Sequence, residues 1–397
     1  MKRSRDYKFK LETRAKYAAL NKVNFMQISI CPSAQTDFEI ESVETALDYY
    51  RLNGMNSVVL QPKFMGSYCD IYLFDNIENS YCVSKNGYKI DYIPHETIIE
   101  ALVPIKEHVD KTFGGLYEMI LIQSELMPWS ALGKNLIDNE FAPYLYLHNQ
   151  RKGLVCQIYE DALSLSSDPV LEKASSMLTH LSREECLKQI PHHIIKQAEA
   201  TEALLKNRVP RSAYSQGLDT YQKQMRLYAQ PGKLYFQPFN WLKYVPKDPE
   251  MKEVYNKSNV DGFKFTNPNY ESCECNVTSV MEAKRYFQNF MIAGLEGIVV
   301  KPKRIYDGIP TVPMLKVRNP DYLHLIYGWD FSYRLDSYMS SRSIKKKLWN
   351  SAQEWNLSRM LMKIPYRSIT VDNENYKKIF LARLKAEQEE LSLDSRL

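Results

Sequence analysis

The sequence predicts a mixed α/β unit that is interrupted by a helical insertion and followed by a helical tail. Three observations carry that expectation. Short apolar strand-type runs recur before residue 127 and again between 233 and 318. The stretch from about 136 to 228 replaces them with helical periodicity, with breakers at Pro169, Pro191 and Pro210. From about 331 to the last residue the pattern is helical again.

In chain order, residues 41–53 (ESVETALDYYRLN) read as an amphipathic helix ending before Gly54. Strands follow at 57–61 (SVVLQ), leading into Pro62 and Lys63, and at 68–74 (YCDIYLF). A third, YEMILIQSEL at 117–126, comes after the Gly114-Gly115 turn. Beyond the helical stretch, KLYFQPFNWL at 233–242 is strand-like again. A helix with the capping box Ser279…Glu282 stops at Gly294. Two short strands, GIVVKP at 297–302 and PMLKVR at 313–318, close the core. The final helical stretch carries a basic cluster of Arg342, Lys345, Lys346 and Lys347.

Composition narrows the function classes. With 397 residues, 44% hydrophobic and 25% charged, the chain is long enough for two or three domains. No stretch approaches the roughly 18 to 20 apolar residues of a membrane span, so no membrane partner is expected. The start, MKRSRDYKFK, has charge but no apolar segment behind it, which argues against a secretory signal. Seven cysteines without framework spacing suit a reducing compartment, and a cytoplasmic location is expected. Cys273-Glu274-Cys275 has no second cysteine pair to complete a zinc site, and His192-His193 beside Pro191 reads as a helix start. A net charge of +5 permits a phosphate-rich partner without demanding one.

The chemistry lies in lysines at strand ends: Lys63 in QPKFMGS, Lys301 in EGIVVKPK, and Lys316 with Arg318 in MLKVR. Any one of them reads as a surface lysine snorkelling from a strand. Together they converge. Alternation puts Val299 and Lys301 on one face and Ile298 and Val300 on the other, and by the same period Lys316 and Arg318 share a face. Such cations suit a triphosphate. They would also lower the pKa of Lys63 and make it a nucleophile toward the α-phosphorus of a nucleotide. Gly66 and Ser67 would let backbone and hydroxyl approach the nucleotide, while Glu125 and Glu296 at strand ends would hold a metal or a ribose hydroxyl.

These segments resemble the motifs of the covalent nucleotidyltransferases, the superfamily of ATP-dependent ligases and capping enzymes. Lys63-Phe64-Met65-Gly66 is similar to motif I, Val83-Ser84-Lys85-Asn86-Gly87 to motif Ia, and Glu125 in IQSEL to motif III. Phe239 in QPFNWL is similar to motif IIIa, Glu296-Gly297-Ile298-Val299-Val300-Lys301 to motif IV, and Leu315-Lys316-Val317-Arg318 to motif V. Six such segments in order are a specific signal. The stretches Ser124–Ser130, Leu295–Pro302 and Lys316–Gly328, with Leu393-Asp394-Ser395-Arg396-Leu397, further resemble the ligase domain of bacterial polynucleotide kinase-phosphatase, an RNA-repair family. One departure stands out: Tyr68 occupies a position where the family carries arginine.

The resemblance implies an α+β fold class, a nucleotidyltransferase core of antiparallel sheets with a helical insertion and a helical C-terminal module. Its implied boundaries are 1–135 and 229–330 for the core, 136–228 for the insertion and 331–397 for the C-terminal module. It implies an ATP-dependent RNA ligase with Mg²⁺ or Mn²⁺. Lys63 would carry AMP, Lys316 and Arg318 would contact the α-phosphate, and Lys301 would hold phosphate charge. Glu296, and with it Glu125, would bind metal. Lys85 and Glu125 would bind the ribose side and Phe239 would stack on adenine, within an ATP-binding set that includes Leu60, Gln61, Pro62, Gly66, Ser67 and Val299. Arg342, Lys345, Lys346 and Lys347 would bind RNA. The partners implied are RNA with 5′-phosphate and 3′-hydroxyl ends, and a separate end-healing kinase/phosphatase or RNA 3′-end methyltransferase, because no G-x-x-x-x-G-K-[ST] loop is present. The alternatives are a DNA ligase, a GTP-dependent capping guanylyltransferase, and a nucleic-acid-binding protein on a degenerate nucleotidyltransferase fold.

Overall fold

The strand-type runs assemble into two five-stranded sheets among the described residues. The computed structural model describes residues 2–130, 136–259, 272–305, 314–340 and 342–397, the first seven of these by backbone alone. The first sheet has the order β1 (Cys31–Pro32), β10 (Leu315–Arg318), β9 (Gly297–Pro302), β2 (Ser57–Pro62) and β8 (Cys273–Asn276). The second runs β4 (Tyr81–Ser84), β3 (Ser67–Phe74), β5 (Tyr117–Met127), β6 (Tyr235–Pro246) and β7 (Val254–Tyr255). Every pairing is antiparallel except β1 with β10, which is parallel. The fold is therefore α+β with antiparallel sheets. Pro313, where the sequence begins the last strand, lies outside the described residues.

Alternation explains how each sheet divides its faces. In the first sheet Val58, Leu60, Ile298, Val300, Leu315 and Val317 pack with residues of the helices Val43–Leu52 and Val280–Ile292. Tyr50 of the former helix donates its hydroxyl to the Val300 carbonyl at 2.9 Å. The intervening residues face the other way. Because Gln61 and Lys316 both pair with Val299, these three side chains form a row across the sheet.

In the second sheet Cys69, Ile71, Leu73, Ile120 and Ile122 pack against the helix His95–Phe113, which the sequence pattern did not reveal. Pro104 sits inside that helix and reads locally as a breaker. The opposite face supplies Tyr72, Met119, Leu121 and Leu242 to a core shared with the first helix, Lys2–Leu20, and the C-terminal helices Ile344–Met362 and Glu374–Leu391.

The helix after Ser279 forms as expected, but its capping box does not. Ser279 adopts φ −86°, ψ 54°, away from the extended backbone that aims an N-cap hydroxyl at the first turn. A complete capping box forms instead at Ser182 and Glu185. The pair His192-His193 begins the helix His192–Lys206.

The chain divides into two compact units. One comprises Met1–Lys134, Leu227–Leu323 and Asp336–Leu397, and the other Asn135–Arg226 with His324–Leu335. The second unit is helical and encloses its own small core of Leu171, Ala174, Cys186, Ile190, Ile195 and Ala198. The segment 324–335, which the sequence reading split between core and C-terminal module, belongs here instead. Trp329 stacks on Tyr214 with ring centroids 3.8 Å apart and donates its Nε1–H to His148 Nδ1 at 2.9 Å. Aromatic burial, invisible to local periodicity, decides that assignment.

Candidate active site

A cavity of about 410 Å³ opens within the first unit, walled by both sheets. The first sheet contributes Gln61 and Pro62 from β2, Val299 and Lys301 from β9, and Lys316 from β10. The second contributes Tyr68 from β3, Glu125 from β5 and Phe239 from β6. Lys63 follows β2 and Lys85 follows β4. Lys347, from the helix Ile344–Met362, completes the cationic lining.

Lys63 Nζ lies 2.5 Å from Glu296 Oε1. The backbone holds this pair together, since the Lys63 N–H donates to the Gly297 carbonyl at 2.9 Å, one residue beyond Glu296. Gly297 has φ +138°, and a Cβ there would lie 2.8 Å from Arg318 Cα, so only glycine lets β9 and β10 meet here. The cationic crowding expected around Lys63 is thus joined by a carboxylate in direct contact.

Gly66 solves a similar problem. A Cβ at this position would sit 2.6 Å from the Leu126 carbonyl oxygen and collide with Glu125 and Met127. Its N–H donates to the buried Glu125 carboxylate. Burial raises the Glu125 pKa to about 8, assisted by Glu296 and opposed by Lys63. Burial likewise lowers Lys301 to about 7, although Glu125 favours its charged form. Lys301 Nζ stands 4.5 Å above the centroid of Phe239, a cation–π arrangement when protonated.

Burial, reinforced by Arg318, holds Lys316 well below the usual ammonium range. Lys85 is also lowered by burial, and donates to Ser29 Oγ at 3.1 Å.

Other sequence-selected residues lie off the cavity wall. Leu60 points into the apolar core beneath the sheet, the alternation face opposite Gln61. Ser67 takes the face opposite Tyr68 by the same rule. Arg318 is directed at Glu41, a fully buried carboxylate that sequence reasoning missed. Its N–H donates to Glu41 Oε2 at 2.9 Å and its Nε to Oε1 at 2.9 Å, while the Arg396 carbonyl accepts from its guanidinium at 2.8 Å. Burial pushes the Glu41 carboxyl up, but Arg318, Lys316 and Arg342 outweigh it and hold it below its ordinary range.

The basic cluster is not one solvated face. Lys345 and Lys346 are exposed, whereas the Arg342 side chain reaches Glu41 at 3.4 Å and Lys347 is buried in an ion pair with Glu390. A run of consecutive helical residues spans more than one face, so it cannot all meet solvent.

Tyr68, at the family's arginine position, belongs to a buried network that the sequence did not announce. Its hydroxyl donates to Asp70 Oδ1 at 2.5 Å and accepts from Gln123 Nε2 at 3.1 Å. Burial raises Asp70 well above the carboxylate range and so favours its uncharged form. Alternation alone puts residues 68 and 70 on one face; the burial that makes the pair matter is tertiary.

Residues 241–368 match the family described as the PNKP adenylyltransferase domain, ligase domain. Two solved chains are similar along nearly the whole length. A chain from a Pnkp1/Rnl/Hen1 complex is 31% identical, with 98% of this chain and 100% of that one covered at a TM-score of 0.86. A chain from a Pnkp1/Rnl/Hen1 RNA repair complex is 32% identical with the same coverage and TM-score. No curated protein sequence matches the chain. Sheets, motif order and these likenesses agree, and the chain belongs to the ligase-domain family of polynucleotide kinase-phosphatase, the RNA ligases among the covalent nucleotidyltransferases.

Proposed function

We propose that the protein is an ATP-dependent RNA ligase that works through a lysine–AMP intermediate. The observation that carries this reading is the contact of Lys63 with Glu296 at the edge of a cavity that also holds Lys301 and Lys316.

Lys63 Nζ attacks the α-phosphorus of ATP, forming an N–P bond as the bond to pyrophosphate breaks. Glu296, already in contact, takes the proton the amine must lose. AMP then passes to an RNA 5′-phosphate, and a 3′-hydroxyl attacks that phosphate and releases AMP. Each step is a phosphoryl transfer, in which positioning and charge neutralisation supply most of the catalysis. Lys316 and Lys301 neutralise phosphate charge, Glu125 and Lys85 orient the ribose side, and Phe239 offers its ring to adenine. Arg318, held by Glu41, supports the α-phosphate region from behind Lys316.

Glu296 and Glu125 fit Mg²⁺ or Mn²⁺. The two carboxylates act on one another, the cavity lining among the described residues holds no histidine or cysteine, and such ions take one or two carboxylates plus substrate oxygens. The cation supplies further charge neutralisation on the phosphates.

Several observations favour RNA over the alternatives. The family match supports RNA ligation, and the described residues after Asp336 form helices rather than the five-stranded barrel of many DNA ligases. Because similar chains occur in Pnkp1/Rnl/Hen1 complexes, we extend to this protein a kinase/phosphatase and a methyltransferase as partners in RNA repair. We also assign it to the cytoplasm, on its seven free cysteines. Among the described residues no helix is long and apolar enough to cross a membrane.

Incubation with ATP labelled at the α-phosphate and Mg²⁺, followed by denaturing electrophoresis, tests the reading. Wild type acquires covalent label and Lys63→Ala does not. Label on both or on neither defeats the proposal, and preferential labelling by GTP points to the capping alternative.

A further inference from the structure

The helix Ile344–Met362 sends Lys347 into the cavity, where its residue is only 3% exposed. Its charge is neutralised by Glu390, from the helix Glu374–Leu391. Glu390 is half-satisfied: its second carboxylate oxygen is buried and has no hydrogen-bond partner among the described residues. A buried carboxylate in this position resembles a stand-in for an anion that the cavity receives from outside.

The cavity's cations act on one another. Lys316 feels both Lys63 and Lys347, whereas Lys347 feels Lys85 and Arg318 most among its cationic neighbours. All three lysines, Lys63, Lys316 and Lys347, line the same cavity. Burial and Lys85 lower Lys347 to about 8, so it is charged at neutral pH and gains from a phosphate partner.

An amine attacking the α-phosphorus expels the β-phosphate from the opposite side, so leaving-group charge develops away from Lys63. We propose that Lys347 binds the β- and γ-phosphates of the incoming triphosphate and neutralises departing pyrophosphate, displacing Glu390 from its side chain. This deepens the ligase reading and rests on it. In the chemical step the Nζ–P bond forms, the α–β bridging P–O bond breaks, and its electron pair goes to the pyrophosphate oxygens nearest Lys347. The helical C-terminal module thereby contributes directly to the nucleotide site.

Calorimetric binding of α,β-methylene-ATP and of AMP to the full chain tests this without turnover. Lys347→Ala is expected to weaken the triphosphate analogue by about tenfold or more and AMP by less than about twofold. Glu390→Gln is expected to tighten the analogue several-fold and leave AMP alone, a gain that misfolding cannot produce. Equal loss of both ligands in Lys347→Ala, or unchanged or weaker analogue binding in Glu390→Gln, overturns the proposal. Failure of the ligase reading shows separately, as wild type without any lysine–AMP adduct.

Discussion

Arg318 and Glu41 form a buried pair in which the carboxylate accepts from both the backbone and the side chain of the arginine. The end of β10 is thus anchored to the segment preceding the helix Val43–Leu52, and Lys316 is presented to the cavity from a fixed base. Glu41→Ala would leave a buried guanidinium without its partner, a loss of about 3–5 kcal/mol. Chemical denaturation measures it, and a loss below about 1 kcal/mol would contradict the anchoring role.

Gly66 is required because β5 passes directly beneath it. Gly66→Ala should push the segment after Lys63 away from Glu125 and lower the rate of lysine–AMP formation by about 100-fold, the usual cost of an ångström-scale misplacement. Circular dichroism of the variant should remain native. A rate within threefold of wild type would remove the steric argument.

Nucleotide binding should depend on pH through Lys301. In the free protein this lysine loses its proton as pH rises through about 7, so above that pH an incoming phosphate must bring a proton with it. Without divalent cation, ATP affinity should fall between pH 7 and 9, by at most about tenfold per unit for one proton. Glu125 has the opposite sign: raised to about 8, it releases a proton when a cation binds. Calorimetry in buffers of different ionisation enthalpy should read uptake for ATP alone and release for Mg²⁺. Heats independent of the buffer would refute both assignments.

Burial favours the uncharged form of Asp70, and Asn is nearly isosteric with a neutral carboxyl. A folded-state pKa above the unfolded value means that the stabilising proton is present below about pH 4 and lost as pH rises. Asp70→Asn should stay within about 1 kcal/mol of wild type at pH 7 and flatten the decline of stability toward higher pH. A large loss at neutral pH would show that Asp70 works as an anion.

The legible part of this protein is local. The two-residue period of β9 puts Val299 and Lys301 on one face, and both line the cavity. The same period puts Lys316 and Arg318 on a common face, but cannot tell that Glu41 turns the arginine aside. The cluster at 342–347 reads as one surface in sequence and divides three ways in space, to Glu41, to solvent and to Glu390.

By itself the sequence indicated a mixed α/β unit through its strand periods, and through the motifs it shares with a known family the α+β class and the chemistry sought at Lys63, because backbone alternation and residue type act at short range. Only tertiary structure decided which charges are buried and with what partner. Lys243 illustrates this: an unremarkable strand lysine becomes fully buried, donating to Asn24 Oδ1 and to the carbonyls of Met362 and Ile364 while pairing with Glu253. Burial and long-range pairing depend on residues distant in sequence, and desolvation gives a charge its energy, so no local pattern encodes them.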